Sequence, residues 1–582
     1  MSTAPILGID LGTTFSLVSV MTDEGPRLIP NALGEELTPS AVAVDSTGMV
    51  RVGAAALALT SLAPERVALA FKRDMATQAP RTLGGRRFSP TELSSLVLRQ
   101  LREDAEASLG AAVSDAVITV PAYFDDRQRQ ETRNAGALAG LRVERLLNEP
   151  TAAALSYGLN RPQAFRGVVL DLGGGTFDVT ALESTGDGVF EIRGSAGDTQ
   201  LGGNDFREAI AREAARRYTE QGGPELTADA RSWARLLAAS ERAMHALSTE
   251  QTTRLVLPDP LGSGKHPPLE VSLTREEVES LWAPLLARFP TPIRRALRDA
   301  GFREIEELVI VGGASRIPAV RRLFEEQLQK QAATGVEPDR AVALGAGIQA
   351  GLVGSHRAVQ DVVVTDIAPF SLGVQTVSTT TGQGVGDLFT PILERGTVLP
   401  ASRSKTIYTV QDRQTKVRLR VFQGEHSLCR DNLLLGEWLV EGIPPAPAGT
   451  QSIEVRLSYD LSGILEVDAT ITETQQHVNF VLERRPGALT SAVLADTRAR
   501  LAKLKFHPRE ALPNTTALSR AENVYVELIG QAREALQGEI VRFRAALEGQ
   551  DPTEITRARQ RLIAATRFMA DLNPTPPGPP TR

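Results

Sequence analysis

One cysteine in 582 residues, Cys429, has no second thiol to pair with. An intrachain disulfide and a cysteine-held metal cluster are both excluded. The six histidines are scattered, without the spacing of metal ligands. No window holds eighteen consecutive apolar residues, so no membrane-spanning helix is expected. A net charge of -6 gives no reason to expect a nucleic-acid partner. The opening stretch MSTAPILGID has no basic segment ahead of an apolar one, so no secretory leader is expected and the chain is assigned to the cytoplasm.

What is present is an ordinary globular balance: 42% hydrophobic and 23% charged residues. The length exceeds what one core can organise and predicts two to four domains. From Ile6 to about Gly354, short β-branched runs (Ala116–Val120, Gly167–Asp171, Leu308–Val311) alternate with amphipathic stretches rich in Ala, Leu and Arg. That alternation predicts an α/β architecture with mixed sheets. After Gly354 the period changes to two, as in Val417–Val421 and Ile453–Leu457, with Gly442–Pro447 and Ser462-Gly463 as turns. An antiparallel β-domain ending near Arg485 is expected. From Thr490 to Leu572 the pattern is helical, and Asp551-Pro552-Thr553-Glu554 reads as a helix start. The proline-rich end, Pro574–Arg582, is expected to be disordered.

Two loops carry the chemistry. Asp10-Leu11-Gly12-Thr13-Thr14 and Asp171-Leu172-Gly173-Gly174-Gly175-Thr176 each follow a strand signal. Glycines let backbone N–H groups approach phosphate oxygens, and the threonines add hydroxyl donors. Asp10 and Asp171, at strand ends, suit Mg²⁺ held through its waters. One such loop is equally an ordinary glycine turn; two in order, about a domain apart, point to two similar halves facing one another. A third element, Ile310-Val311-Gly312-Gly313-Ala314-Ser315-Arg316, brings paired glycines that let a flat base approach. Arg316 is placed to stack on adenine, or is simply a surface arginine after a strand–helix turn.

In chain order these pieces resemble the superfamily of actin, hexokinase and DnaK. The segments Asn148-Glu149-Pro150-Thr151-Ala152-Ala153-Ala154, Asp171–Asp178 and Val120-Pro121-Ala122-Tyr123-Phe124 look specifically like the DnaK-type, or seventy-kilodalton heat-shock, chaperones. The resemblance runs from about Ile6 to about Leu572. The short spacing from Lys72 to Pro121 and the compact C-terminus are similar to the HscC subclass. The implied fold is an actin-like α/β ATPase of two lobes with duplicated mixed sheets, then an antiparallel β-sandwich and a short helical lid. The implied boundaries are 1–360, a linker at 361–366, 367–486 for the sandwich, 487–572 for the lid and 573–582 for the tail.

The resemblance also implies roles. Lys72 would position the attacking water, with Glu149 and Asp171 ordering that water and the magnesium shell. Thr176 would touch the γ-phosphate, and Asp10, Asp171 and Asp178 would hold Mg²⁺ through water. ATP or ADP would contact Gly12, Thr13, Thr14, Gly173, Gly174, Gly175, Gly202, Gly203, Glu241, Ser248, Gly312, Gly313 and Arg316. An apolar pocket of Val374, Val377, Ile407, Val410, Val417 and Leu419 would take an aliphatic side chain of an extended client polypeptide. Read without the resemblance, such alternating valines are sandwich core. Val362, Val363, Val364 and Asp366 in the linker, with Pro121, Arg129 and Arg145, would couple the two sites. A J-domain cochaperone is the implied partner. An exchange factor of the GrpE type is left open, since the shortened Lys72–Pro121 region suggests independence from it. The expected state is a monomer, bound to neither nucleic acid nor membrane.

There are departures. Met244 and His245 stand where the family has a ribose-binding lysine and an adenine-packing arginine, which predicts weaker nucleotide affinity. Phe15 replaces a common asparagine, and Thr365 a leucine. A sugar kinase would share the phosphate loops but not need a β-domain. An actin-like filament protein would end near residue 350. A non-hydrolysing scaffold is the serious alternative, set against the retained Lys72, Glu149, Asp171 and Thr176.

Overall fold

The structure is a computed structural model. It describes residues 5–572 except positions 78, 159–162, 187, 263–264, 336, 361, 379–384, 461–464, 482–490, 505–511, 529 and 550. The expected tail after Leu572, Asp361 and the expected end of the β-domain near Arg485 lie outside the described residues.

The duplication expected from the two Asp-Leu-Gly loops is present in the sheets. In the first lobe, strand Ile6–Asp10 lies between a parallel neighbour, Asp115–Val120, and an antiparallel one, Phe15–Thr22, followed by Gly25–Ile29. In the second, Phe165–Leu172 lies between parallel Glu307–Val311 and antiparallel Phe177–Ser184, followed by Val189–Asp198. Each Asp-Leu-Gly loop thus leaves the end of a central strand and turns into an antiparallel neighbour. Strands buried on both faces explain the continuous apolar runs in the sequence.

Two helices, Glu149–Gly158 and Ala341–Val353, cross where the lobes meet. Only small residues allow that approach. A Cβ on Gly345 would sit 1.8 Å from the Ala152 carbonyl oxygen, and one on Gly8 would sit 2.2 Å from the Gly347 nitrogen. A single core under the crossing takes Val117 and Leu147 from the first lobe and Val169, Leu182 and Val309 from the second.

Among the described residues, the β-domain holds two four-stranded antiparallel sheets. Strands Ser452–Tyr459 and Leu465–Ile471 alternate buried and exposed side chains, which is the period-two pattern of the sequence in three dimensions. Ahead of the domain, Val363–Ile367 forms a strand that belongs to two sheets at once. Val363, Val364 and Thr365 pair in parallel with Val189, Phe190 and Glu191 of the ATPase lobe. Asp366 and Ile367 pair with Leu399 and Val398 of the β-domain. This strand overlaps the expected linker, 361–366, from Val363 to Asp366, with Val362 ahead of it.

Among the described residues four helices follow: Ser491–Ala502, Leu512–Glu527, Gly530–Gly549 and Pro552–Leu572. Asp551 caps the last, accepting from the Thr553 backbone at 2.8 Å, as its sequence predicts. The helical segment lies against the first lobe. Leu501 is 5% exposed and enters that lobe's core, Arg500 pairs with Glu92, and Arg520 reaches Glu35 at 3.0 Å. Glu92 serves twice, because it also closes the capping box of helix Pro90–Leu109 with Ser89.

Truncating a buried leucine costs about 2–4 kcal/mol. Leu501→Ala is expected to loosen the helical segment from the first lobe. Hydrogen exchange should then accelerate in Ser491–Ala502 and in the adjoining helix Asp126–Leu138, and stay unchanged in the second-lobe strands. Unchanged exchange in both helices would remove Leu501 from the docking energetics.

Candidate nucleotide site

A cavity of about 710 Å³ opens between the lobes. Its floor comes from the ends of the two central strands, which deliver Asp10 and Asp171. Its two sides are the glycine loops. Each loop is braced from behind. Ser40 Oγ donates to the Gly12 carbonyl at 2.7 Å, and Ser16 Oγ accepts from the Gly12 amide at 3.2 Å. In the second loop the Gly203 and Asn204 amides, which open helix Gly203–Glu220, donate to the carbonyls of Gly173 and Gly174. The loops touch: a Cβ on Gly174 would lie 1.9 Å from Thr14 Oγ1. Glycine is required here by proximity and not by φ.

Among the described residues, Lys72 is the one lysine that lines the cavity. It is 3% exposed, makes a 2.5 Å ion pair with Glu149 Oε1 and stands 5.7 Å from the centre of the Phe124 ring. Glu149, Asp171 and Asp178 are 7%, 5% and 1% exposed. Thr119 donates to Asp10 at 2.9 Å, and the Tyr123 amide donates to Asp178 at 3.2 Å. Desolvation, then the charge of Glu149, push Asp10 up to about 7 and Asp178 up to about 8. Burial, then Glu149, Asp178 and Asp10, hold Asp171 well above the usual carboxylate range.

One lysine does not neutralise four carboxylates, so the donor set suits a hard divalent cation. Among the described residues, no three acidic, histidine or cysteine side chains converge to grip a metal directly. Mg²⁺ would accordingly be held through its waters by Asp10, Asp171 and Asp178.

Most of the expected nucleotide residues line this cavity: Gly12, Thr13, Thr14, Gly173, Gly174, Thr176, Gly203, Glu241, Ser248, Gly312, Gly313 and Arg316. Gly175, Gly202 and Asp178 stand behind the lining. Gly202 packs on the second loop, where a Cβ would meet the Gly175 nitrogen at 2.4 Å. Arg316 is 60% exposed and held by Asp339 at 2.6 Å. Phe15, Met244 and His245, the departures noted above, line the cavity too. So do Asn204, Arg207 and Arg321, which the sequence did not single out.

Behind the floor runs a chain of hydrogen bonds. Arg129 donates to the Asn148 side-chain oxygen at 2.6 Å and to the carbonyls of Ala122 and Phe124, both at 3.1 Å. The Asn148 amide donates to both oxygens of Asp366, at 3.0 and 2.9 Å. Asn148 adjoins Glu149, and Asp366 lies in the shared strand. Burial raises the Asp366 carboxyl, while Arg129 and Arg145 oppose that rise. Beyond this chain, Arg395 of the β-domain meets Asp299 at 3.0 Å, and Tyr123 meets Phe370 at 4.5 Å between ring centres.

The expected peptide residues divide. Val374 and Leu419 are core, at 0% and 2% exposure, and Ile407 and Val417 are half-buried. Val377 and Val410 stand in solvent at 40% and 42%.

The family model described as Hsp70 protein matches residues 6–82 and 75–561. The chain belongs to the Hsp70 family of ATP-hydrolysing molecular chaperones. Nucleotide cavity, two-sheet β-domain and C-terminal helices occur in the order that membership implies. No helix among the described residues is long and apolar enough to cross a membrane.

The carboxylates give a pH test. A carboxyl whose folded pKa exceeds its unfolded value keeps a proton that the unfolded chain has lost. Stability contributed by Asp10 and Asp178 therefore falls as pH rises from about 4 to about 8. Without metal or nucleotide, the melting temperature should drop between about pH 4 and pH 8, and Asp10→Asn should flatten the part of the drop below about pH 7. An equal drop in Asp10→Asn would mean that Asp10 does not carry the proton.

Proposed function

We propose that the protein couples slow ATP hydrolysis to the gripping and release of extended hydrophobic segments of unfolded polypeptides. The observation that carries this reading is the hydrogen-bonded path Arg129–Asn148–Asp366. It starts beside the Lys72–Glu149 pair and ends in a strand that the ATPase lobe and the β-domain share.

The reaction is ATP + H₂O to ADP + phosphate, with no covalent intermediate. Lys72 holds the attacking water at the γ-phosphate, and Glu149 and Asp171 orient it. Thr176 contacts the γ-phosphate. Asp10, Asp171 and Asp178 would hold Mg²⁺ through its waters, and the ion would supply neutralising charge for the phosphates. Rate enhancement then rests on positioning and fixed charge. Gly12, Thr13, Thr14 and Gly173–Gly175 cradle the phosphates, and Gly202 and Gly203 complete the turn into the helix. Glu241, Ser248, Gly312, Gly313 and Arg316 hold the nucleoside.

In the β-domain Val377 and Val410 arch over the peptide, with Ile407 and Val417 beneath. Val374 and Leu419 form the pocket's base, accessible only when the sandwich relaxes. Pro121, Arg129 and Arg145 relay the nucleotide state to Val362–Val364 and Asp366. Two sites biasing one bistable contact satisfy the requirements of allostery. A J-domain cochaperone is the fitting partner, working on a monomer in the cytoplasm under stress. The short helical segment favours rapid peptide exchange.

Steady-state ATP hydrolysis, with and without an extended aliphatic peptide, tests the coupling. The wild type is expected to hydrolyse slowly and to be stimulated by peptide, and Val377→Asp to hydrolyse equally well but without stimulation. Hydrolysis indifferent to peptide in both would favour a nucleotide-binding scaffold. Separately, Lys72→Met should lower single-turnover hydrolysis by about 100-fold or more while nucleotide still binds. Hydrolysis at the wild-type rate would take Lys72 out of the mechanism.

A further inference from the structure

Met244 removes a cation from helix Ala230–Thr249 at the nucleoside side of the cavity. The structure places another there from a different helix. Arg207 lies one turn beyond Gly203 on helix Gly203–Glu220, on the face that carries the phosphate-loop contact. Its Nη1 donates to Glu241 Oε2 at 3.2 Å, across the packing of the two helices. Glu241, His245 and Ser248 recur at helical spacing along the facing wall of the same cavity. The Arg207 side chain is 19% exposed and its partner 37%. Arg207 Nε is shielded from solvent without an acceptor among the described residues. The Arg207–Glu241 pair thus stands between the loop at Gly203 and Ser248 on the facing wall, where a nucleotide with its phosphates on that loop would carry its sugar.

We propose that Arg207 is a nucleotide-binding residue that, with Glu241, recognises the ribose hydroxyls. The guanidinium donates to a hydroxyl oxygen, and Glu241 accepts a hydroxyl proton, so the pair offers both halves of the recognition. This rests on ATP being the ligand of the cavity, as proposed above. Arg207 thereby offsets the affinity loss expected from Met244.

The test is a set of dissociation constants for ATP, 2′-deoxy-ATP and 3′-deoxy-ATP, with Mg²⁺, on the full chain. Wild type is expected to bind ATP about fivefold to tenfold more tightly than at least one deoxy analogue. Arg207→Ala should weaken ATP by about tenfold and bring the ATP-to-analogue ratio close to one. Arg207→Lys, which keeps the charge, should recover part of both and gives a second readout should the alanine variant fold poorly. Unchanged ATP affinity in Arg207→Ala overturns the proposal. So does weakened ATP affinity with the ratio intact, which assigns Arg207 to the phosphates or to helix packing. A wild type that binds no nucleotide overturns the ATP reading itself, and this inference with it.

Discussion

Four carboxylates crowd around the Lys72 ammonium at the bottom of the interlobe cavity, and much of the molecule is arranged around that imbalance. Lys72 spends its charge on Glu149, leaving Asp10, Asp171 and Asp178 to repel one another in a poorly hydrated space. Such a site is held together by covalent and packing constraints. The central strands fix the aspartates at their ends, and the small-residue crossing of the connecting helices fixes how close the two strand ends stand. A larger residue at Gly345 would separate the halves. A divalent cation held through its waters by Asp10, Asp171 and Asp178 would supply the positive charge that this floor lacks.

The next residue along from Glu149 is already committed elsewhere. Asn148 is filled by Arg129 on one side and Asp366 on the other. A shift of the Glu149 backbone of a few tenths of an ångström would strain bonds of 2.6 to 3.0 Å. Packed interiors pass such strain on, because they have little free volume in which to absorb it.

The parts of this that were legible in the sequence are local ones. Asp10–Thr14 and Asp171–Thr176 announce themselves because the glycines, the threonines and the acid all lie within one turn. The two-sheet β-domain could be read from side-chain alternation. Arg207 could not, since its significance depends on a helix pairing 34 residues away. Leu501 could not either: in sequence it is one more apolar residue on an amphipathic helix, and only the tertiary contact distinguishes a seat in the ATPase lobe from a lid face. Val374 and Leu419 show the limit from the other direction. Alternation marks an inward face without saying whether that face meets a ligand or the opposite sheet.

The seating of the C-terminal helices on the first lobe has a consequence for biosynthesis. Arg500 and Glu92 are 408 positions apart, and Arg520 and Glu35 are 485 apart. On the ribosome the first lobe emerges with the apolar notch for Leu501 open, and no later segment fills it until nearly the whole chain has been made. Closing contacts of that sequence separation is slow. The nascent protein therefore spends most of its synthesis with that apolar seat uncovered.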